Sequence, residues 1–400
     1  MVLISKKLNM GLVLLIGAIT AGILTGFALP ELLTTMAQGI LSPISIELII
    51  IMGLISGLGF LMKETGDLDR IIDALMGTIK NTRILMMFLP ALIGTLNVPG
   101  GAILSAPMIE ESGQRLGLSS VQKASINLFF RHMVAFIYPL ASSIILTSQL
   151  LQLEKVTIAL YNTPVMISGI ITSYFILFQG HRKEKAAQLE RRILKNIKTF
   201  LSGFLPIMII ILLALGCKIS FPLAVLCGVV VALLRHPDYR QPLREYWRRI
   251  KLFITKGISY NLILIIVGVM AYKEVVEESG TIEYMAEKMV QLGIPLPLII
   301  VLLGLLTSYL TGFHIAATGL LLTLFIPLFP PGALGPYNTL LFTAVIMGYT
   351  LSPLHLCLVL SNEYFGVDLK PVYRQMLLPI TIMLLVALTQ LLLFDFFFLI

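Results

Sequence analysis

Long apolar runs follow one another along the whole chain, and they constrain its fold more than any other feature. A helix needs about 20 apolar residues to cross a bilayer, and nine runs are candidates for such a span. They cover residues 8–29, 44–62, 124–153, 158–178, 200–217, 221–234, 258–272, 340–360 and 376–400. Hydrophobic residues make up 57% of the 400 residues and charged residues only 12%, so a water-soluble fold could not bury its apolar surface. The sequence therefore predicts an all-α, polytopic membrane protein.

Several functional classes are excluded by composition or by missing motifs. The three cysteines, Cys217, Cys227 and Cys357, lie in apolar runs without CxxC spacing, which excludes a disulfide scaffold. The sequence contains no HExxH helix, no GxSxG turn and no Walker A loop. We therefore expect no enzyme, no metal site, no organic cofactor and no nucleic-acid partner. The only bound ion expected is a coupling ion, H+ or Na+.

Basic residues mark the loops that face the cytoplasm. The net charge is +8, and fourteen of the 29 Lys and Arg residues fall in two segments, residues 182–198 and 235–256. By the positive-inside rule both segments are cytoplasmic, where they contact anionic membrane lipid. Lys6 and Lys7 precede the first apolar run, which is too long for a signal peptide. We expect a multi-pass protein of the cell membrane, with its N-terminus in the cytoplasm and its C-terminus outside.

Two further apolar stretches, residues 84–109 and 297–328, are interrupted by tips at residues 97–101 and 311–314. Each stretch is either one broken crossing or a re-entrant hairpin. If the first stretch crossed the membrane, both basic segments would lie outside, against the positive-inside rule. We therefore predict two re-entrant hairpins, whose irregular tips can exist at membrane depth only where protein or water surrounds them.

The two halves of the chain share landmarks at a constant offset of 214 residues. This offset aligns the two hairpin tips, and it aligns Pro139 with Pro353 in the middle of two long runs. Residues 63–83 contain four basic residues, whereas their counterpart at 273–288 contains two basic and five acidic residues. The halves should therefore have opposite orientations. These features predict an inverted-topology repeat, from which many secondary transporters are built.

The repeat divides the chain into three parts. They are a first repeat at residues 1–179, a basic cytoplasmic loop with a linking span at 180–219, and a second, inverted repeat at 220–400. The first repeat contains the first span, a span at 44–62, a hairpin at 84–111, a broken span at 124–153 and a span at 158–178. The second contains a span at 221–234, a basic loop, a span at 258–272, a hairpin at 297–328, a broken span at 340–360 and a span at 376–400.

Helix breaks should create a polar site in the middle of the membrane. Proline lacks a backbone donor and interrupts its helix, and free helix ends offer N–H groups to anions and carbonyls to cations. Hairpin tips that enter from opposite faces should meet the two breaks at one depth. The predicted substrate- or ion-binding residues are Asn97, Pro99, Gly100, Gly101, Arg131, His132, Pro139, Ser142, Ser143, Thr311, Gly312, His314, Thr318, Ser352, Pro353 and His355.

Several of these residues also have a structural interpretation. An intramembrane Arg131 is costly and either recognises an anion or snorkels to the cytoplasmic interface. His314 and His355 either contact the substrate or a proton, or form structural hydrogen bonds. Ser and Thr hydroxyls at this level can bind ligands, but they also cap helices or join them.

A hairpin and a proline-broken helix, both repeated in inverted form, resemble the ion transporter superfamily, which includes sodium-coupled dicarboxylate, citrate, gluconate and arsenite carriers. The resemblance spans residues 44–400 and is greatest to a branch of bacterial integral membrane proteins known only as a domain of unknown function. The dicarboxylate carriers have a Ser-Asn-Thr motif at each tip, of which Asn97 and Thr311 are the part present here. The resemblance implies a homodimeric, elevator-type carrier, in which a domain of hairpins and broken helices slides against a scaffold.

We therefore expect a secondary active transporter of a small, anionic solute, organic or inorganic, that is coupled to H+ or Na+. The first alternative is a channel or a structural membrane subunit, and the second is an intramembrane enzyme. Saturable flux that requires an ion gradient would separate a carrier from a channel.

Overall fold

A computed structural model describes residues 9–79, 81–95, 101–179, 193–217, 219–235, 242–280, 284, 288 and 293–398. Within these ranges the chain is helical and contains no strand, so the predicted all-α class is confirmed. The helices up to residue 177 are α1 (Met10–Leu24), α2 (Leu29–Leu41), α3 (Pro43–Glu64), α4 (Asp67–Met76), α5 (Thr82–Gly94), α6 (Gly101–Leu116), α7 (Ser120–Met133), α8 (Ser142–Leu151) and α9 (Lys155–Leu177). The remaining helices are α10 (Ile193–Ile211), α11 (Phe221–Leu234), α12 (Pro242–Leu252), α13 (Tyr260–Glu278), α14 (Leu296–Thr311), α15 (His314–Phe325), α16 (Leu334–Leu351), α17 (Leu356–Phe365) and α18 (Leu369–Phe398).

The expected first span, residues 8–29, does not form one helix. Helix α1 ends at Leu24, because the chain turns at Gly26 with a φ of +92°, and α2 begins five residues later. Helix α1 has 15 residues and is therefore about 22 Å long, which is shorter than a hydrocarbon core of about 30 Å. The run therefore forms a short helix followed by a turn, and the expectation that it crosses the membrane stays a prediction.

Five helices in the described ranges are long and apolar enough to cross a membrane. They are Pro43–Glu64, Lys155–Leu177, Asn196–Ala214, Leu334–Phe365, which includes a break, and Leu369–Phe397. A sixth is added if Leu243–Gly257 and Tyr260–Glu278, which meet at a bend of 47°, count as one span. The nine predicted spans are therefore not nine uninterrupted helices, since the chain includes short, bent and broken ones.

Both long runs that contain a central proline are broken near it. Helix α7 ends at Met133, a short 3-10 turn follows, and α8 starts at Ser142, three residues beyond Pro139. The second break separates α16 from α17 around Pro353. Proline cannot donate a backbone hydrogen bond and clashes with the preceding turn, which favours a break at these two positions, whereas Pro164, Pro206 and Pro379 lie inside continuous helices.

Carbonyl groups freed by the two breaks are bound by side chains from the next long helix. Asn162 of α9 donates to the Phe136 carbonyl at 3.1 Å, and Tyr373 of α18 donates to the Leu351 carbonyl at 2.6 Å. Buried backbone groups need such partners at membrane depth. The two breaks are therefore stabilised parts of the fold.

Helices α5 and α6 form a hairpin, and α6 returns to the end of the helix bundle at which α5 begins. The start of α5 lies beside the start of α7, where Met86 and Lys123 both contact Gly113. The end of α5 lies beside the end of α7, where Gly94 contacts the Arg131 carbonyl. Helices α5 and α7 therefore run parallel, which requires that α6 brings the chain back between them.

Helices α14 and α15 form a second hairpin of the same kind. Gly304 of α14 contacts Ala344 of α16, and further along both helices the Ser352 hydroxyl donates to the Tyr309 carbonyl at 2.6 Å. Helices α14 and α16 are therefore also parallel. The tip of this hairpin turns at Gly312, whose φ of +65° is unfavourable for residues with a side chain.

Helix α9 relates the positions of the two hairpins. At its last turns, Tyr174 accepts a hydrogen bond from Arg83 at 2.9 Å, and the Leu177 carbonyl accepts one from Gln122 at 3.1 Å. At its first turns, Tyr161 contacts Gly335 at the start of α16. Because α9 has 23 residues and is about 34 Å long, the two hairpins start at opposite ends of the bundle.

The 214-residue offset seen in the sequence also relates the starts of four pairs of helices. The pairs of first residues are Thr82 and Leu296, Ser120 and Leu334, Ser142 and Leu356, and Lys155 and Leu369. Most buried apolar side chains of α7, α9, α16 and α18 pack into one large cluster. A second cluster contains α3, α4, α11 and α13.

Candidate functional site

A cavity of about 340 Å³ lies where the two breaks and the second hairpin tip meet. It is bordered by the end of α7, the start of α8, the tip before α15, the end of α16 and the start of α13. Its lining residues are Gly94, Thr95, Arg131, His132, Val134, Ala135, Tyr138, Ala141, Ser142, Ser143, Ser259, Asn261, Leu262, Phe313, His314, Ile315, Tyr349, Leu356 and Cys357. Both halves of the chain therefore contribute to one cavity.

Arg131 is the only cationic side chain among these lining residues. It is 6% exposed, and its Nη1 atom has no hydrogen-bond partner among the described residues. Snorkelling would place the guanidinium at an interface with water, whereas this side chain is buried beside the cavity. A buried, unpartnered donor is costly, so a ligand with acceptor oxygens would stabilise Arg131 in this position.

Three histidines and a tyrosine form a cluster of rings at the cavity. Tyr349 packs between His314 and His355, with ring centroids 4.6 Å and 3.8 Å away. His132 lies 4.7 Å from His355 and 5.3 Å from Tyr349, measured between ring centroids. The cluster therefore joins α7 of the first half to α15, α16 and the second break.

Hydroxyl groups complete the polar part of the lining. Ser142 and Ser143 start α8, and the Ser143 hydroxyl is buried without a hydrogen-bond partner. The Thr318 hydroxyl is also buried and unpartnered, but Thr318 lies one turn beyond His314 and does not line the cavity. Ser143 is therefore the better placed of the two to contact a ligand.

Besides Thr318 and His355, which lie next to the cavity without lining it, five predicted residues shape the surroundings and do not line it. Pro139 borders a separate cavity of about 450 Å³ that also contains Lys155. The Thr311 and Ser352 hydroxyls bond to nearby backbone carbonyls, at Ser308 and Tyr309. The remaining two are Gly312, at the left-handed turn described above, and Pro353, which is exposed.

The first hairpin tip cannot be compared with the prediction in the same way. Asn97, Pro99 and Gly100 lie outside the described residues, and Gly101 is the first residue of α6. The predictions for these four residues stay predictions.

Several cavity residues were not predicted from the sequence. Tyr349 and Cys357 flank the Pro353 break, and Ser259 and Asn261 come from the start of α13. In the sequence, Cys357 lies in an apolar run and resembles a small apolar residue. No sequence pattern indicates that Tyr349 faces a cavity. Their proximity to an already predicted proline break is the one signal that could have indicated them.

Gly94 permits the close approach of the first hairpin to Arg131. A Cβ atom at Gly94 would overlap the Arg131 carbonyl, so Gly94→Ala should push α5 away from α7 and lower the apparent thermal stability by about 1–3 kcal/mol. Gly17→Ala is the matched control, because the nearest atom would be 4.0 Å away. Thermal unfolding of the two variants in detergent checks this, and equal stability of both would contradict the packing argument.

The chain shares its fold with a protein of known structure and matches a family model. A comparison with curated proteins found no match. Among solved structures, the fold is similar to that in the crystal structure of the Alcanivorax borkumensis YdaH transporter. The TM-score is 0.60, the sequence identity is 16%, and the match covers 97% of each chain. The two proteins therefore share a fold. A family model described as "Protein of unknown function (DUF401)" matches residues 1–393, and the chain belongs to this family.

Proposed function

We propose that this protein is a secondary active transporter of a small, anionic solute, coupled to H+ or Na+, with the architecture of the ion transporter superfamily. The observation that carries the proposal is the buried Arg131 with its unpartnered Nη1 atom in a cavity formed by both halves. A guanidinium presents a fork of donors that matches carboxylates and other oxyanions. The similarity of the fold to that of a protein described as a transporter supports the same reading.

The proposed inverted repeat is supported by reciprocal packing between the halves. Helix α6 packs on α17, and its counterpart α15 packs on α8. In the same way α7 packs on α18 while α16 packs on α9, and α1 packs on α13 while α11 packs on α3. Such exchanged contacts are expected from a two-fold axis between the halves. An axis in the membrane plane agrees with hairpins that start at opposite ends of α9.

The proposed elevator mechanism is supported by the division of the apolar core. Most buried apolar side chains of α7, α9, α16 and α18 share one cluster, whereas α3, α4, α11 and α13 share another, which also includes most of those of α5 and some of α8 and α15. Asn127 strengthens the first unit, because it donates to the Ala102 carbonyl of α6 and to Ser361 of α17. The cavity lies between this unit and the start of α13, where a sliding motion would open and close it. The homodimer is a proposal that rests on the resemblance.

The proposed topology predicts from which side of the membrane a cysteine at a given position reacts with an impermeant thiol reagent. Glu64 pairs with Arg248 at 2.8 Å, which places the end of α3 and helix α12 on the same side. In a background without the native cysteines, Arg244→Cys should react with an impermeant thiol reagent only from the cytoplasm and Glu278→Cys only from outside. Both positions are exposed. Reaction of Arg244→Cys from outside would contradict the inverted repeat.

Transport itself is tested with purified protein. A thermal-shift screen of organic and inorganic anions, with and without Na+, should find a stabilising solute, because a ligand that binds only the native state raises its stability. Uptake of that solute into proteoliposomes should saturate and should require a Na+ or H+ gradient. Uptake that is linear in solute concentration and independent of both gradients would favour a channel.

A further inference from the structure

Three potential metal ligands from distant parts of the chain meet beside the cavity. His132 is near the end of α7, His355 precedes α17, and Cys357 is in the first turn of α17. A ring nitrogen of each histidine and the Sγ atom of Cys357 lie within 4.8 Å of one another. No spacing motif indicates the whole group, because His132 lies more than 200 residues before His355 and Cys357 in the sequence.

The ring of His355 lacks the hydrogen bonds that a structural histidine would make. It is 1% exposed, and the Thr350 backbone is at most a weak hydrogen-bond partner of one ring nitrogen, whereas the other has no partner among the described residues. Buried polar atoms are nearly always satisfied, and leaving one unpaired is costly. A ligand that binds a ring nitrogen directly would remove this cost.

His132 is held in the form that can bind a metal ion. Its Nδ1 atom lies 2.7 Å from the Leu128 carbonyl oxygen. A carbonyl only accepts hydrogen bonds, so Nδ1 carries the proton and Nε2 keeps a free lone pair. A histidine that donates its other N–H to a backbone carbonyl is the usual arrangement of a metal ligand, because the bond orients the ring.

We propose that His132, His355 and Cys357 form a binding site for a zinc-class transition-metal ion, with its fourth coordination position open to the cavity. Two imidazole nitrogens and one thiolate suit Zn²⁺ or a similar borderline ion, and three protein ligands with an open position are typical of reactive zinc sites. Metal–nitrogen bonds of about 2.0 Å and a metal–sulfur bond of about 2.3 Å would bring the ligand atoms closer together than they are here. Side-chain movements of about 1 Å would bring the three ligand atoms to these bonding distances.

The charges around the site agree with an anion at the open position. The Cys357 thiolate would offset one charge of a divalent ion, which leaves a positive site that shares the cavity lining with Arg131. An anion between the ion and the guanidinium would offset the remaining charge. This last step rests on the proposed function, whereas binding of the metal does not.

Cobalt binding to the full-length, metal-free protein in detergent tests the site. Co²⁺ should bind once per chain with the visible bands of tetrahedral cobalt and a thiolate-to-metal charge-transfer band, and Zn²⁺ should displace it. Cys357→Ser should abolish the charge-transfer band, and His355→Gln should weaken Co²⁺ binding at least tenfold. Size-exclusion profiles and thermal unfolding establish that these variants are folded.

The other two cysteines provide matched controls. Cys217 and Cys227 are exposed, and neither borders the cavity, so Cys217→Ser and Cys227→Ser should keep the full charge-transfer band. Persistence of the band in Cys357→Ser, its loss in a control variant, or the absence of stoichiometric Co²⁺ binding would overturn the proposal. Because the readout is spectroscopic, a failure of anion uptake in proteoliposomes would count against the proposed transport function alone.

Discussion

Replacing Arg131 with glutamine should weaken binding of the anionic solute by at least about 30-fold and reduce its uptake to background at low concentration. The guanidinium is buried in the cavity with an unpartnered donor. Removing one member of a buried charge pair costs about 2 kcal/mol or more, and about 1.4 kcal/mol corresponds to a tenfold change in affinity. The measurement is solute affinity by thermal shift or calorimetry, together with initial uptake rates in proteoliposomes.

Arg131→Lys separates charge from geometry at the same position. Lysine keeps the positive charge but lacks the planar fork of donors, so we expect a solute affinity between those of the wild type and Arg131→Gln. Arg115→Gln is the control, because Arg115 is exposed and, within the described part of the chain, pairs with the similarly exposed Glu111. Normal uptake by Arg131→Gln would show that Arg131 has a structural role.

Replacing Arg235 with glutamine should destabilise the protein, because Arg235 pairs with a buried carboxylate. Asp67 at the start of α4 is fully buried and accepts two hydrogen bonds from Arg235 Nε, at 2.9 and 2.8 Å. Loss of this partner removes the nearest cation from a buried carboxylate, and breaking a buried charge pair costs about 3–5 kcal/mol. Arg70 lies 3.9 Å from the same carboxylate, so the lower end of this range is expected, measured as the loss of apparent thermal stability in detergent.

A double variant tests whether the unpaired charge causes this loss. Asp67→Asn combined with Arg235→Gln removes both charges and should be more stable than Arg235→Gln alone. Disruption of the exposed Glu111–Arg115 pair by Arg115→Gln should change stability by less than about 1 kcal/mol. If the double variant were as unstable as the sum of its two single variants, the charge pair would not be the cause.

Much of the helical architecture follows from local properties of the sequence. The breaks near Pro139 and Pro353 are found where proline removes a backbone donor. The capping box of Ser119 and Gln122 starts α7, and the Asn81 side chain caps α5. Such signals act within a few residues, so they can be recognised without knowing the fold.

Other features depend on packing and were not predicted. Helix α2 is amphipathic and begins at Leu29, the last residue of the first apolar run, after the turn at Gly26 that separates it from α1. The predicted tip residues Thr311 and Gly312 serve the turn of the hairpin, whereas Phe313 and His314 line the cavity. A tip of four residues gives no sequence signal for which side chain points into a cavity, because that depends on the helices packed around it.

By itself, the sequence determined that this chain is an all-helical membrane protein with two proline-broken helices and landmarks repeated 214 residues apart. Apolar length and proline chemistry act locally, and they are visible in any window of about 20 residues. Only the tertiary structure decided that Arg131 and His132 share a site with Tyr349, His355 and Cys357. The physical reason is that these side chains meet through the packing of helices from both halves of the chain, which no local pattern of residues encodes.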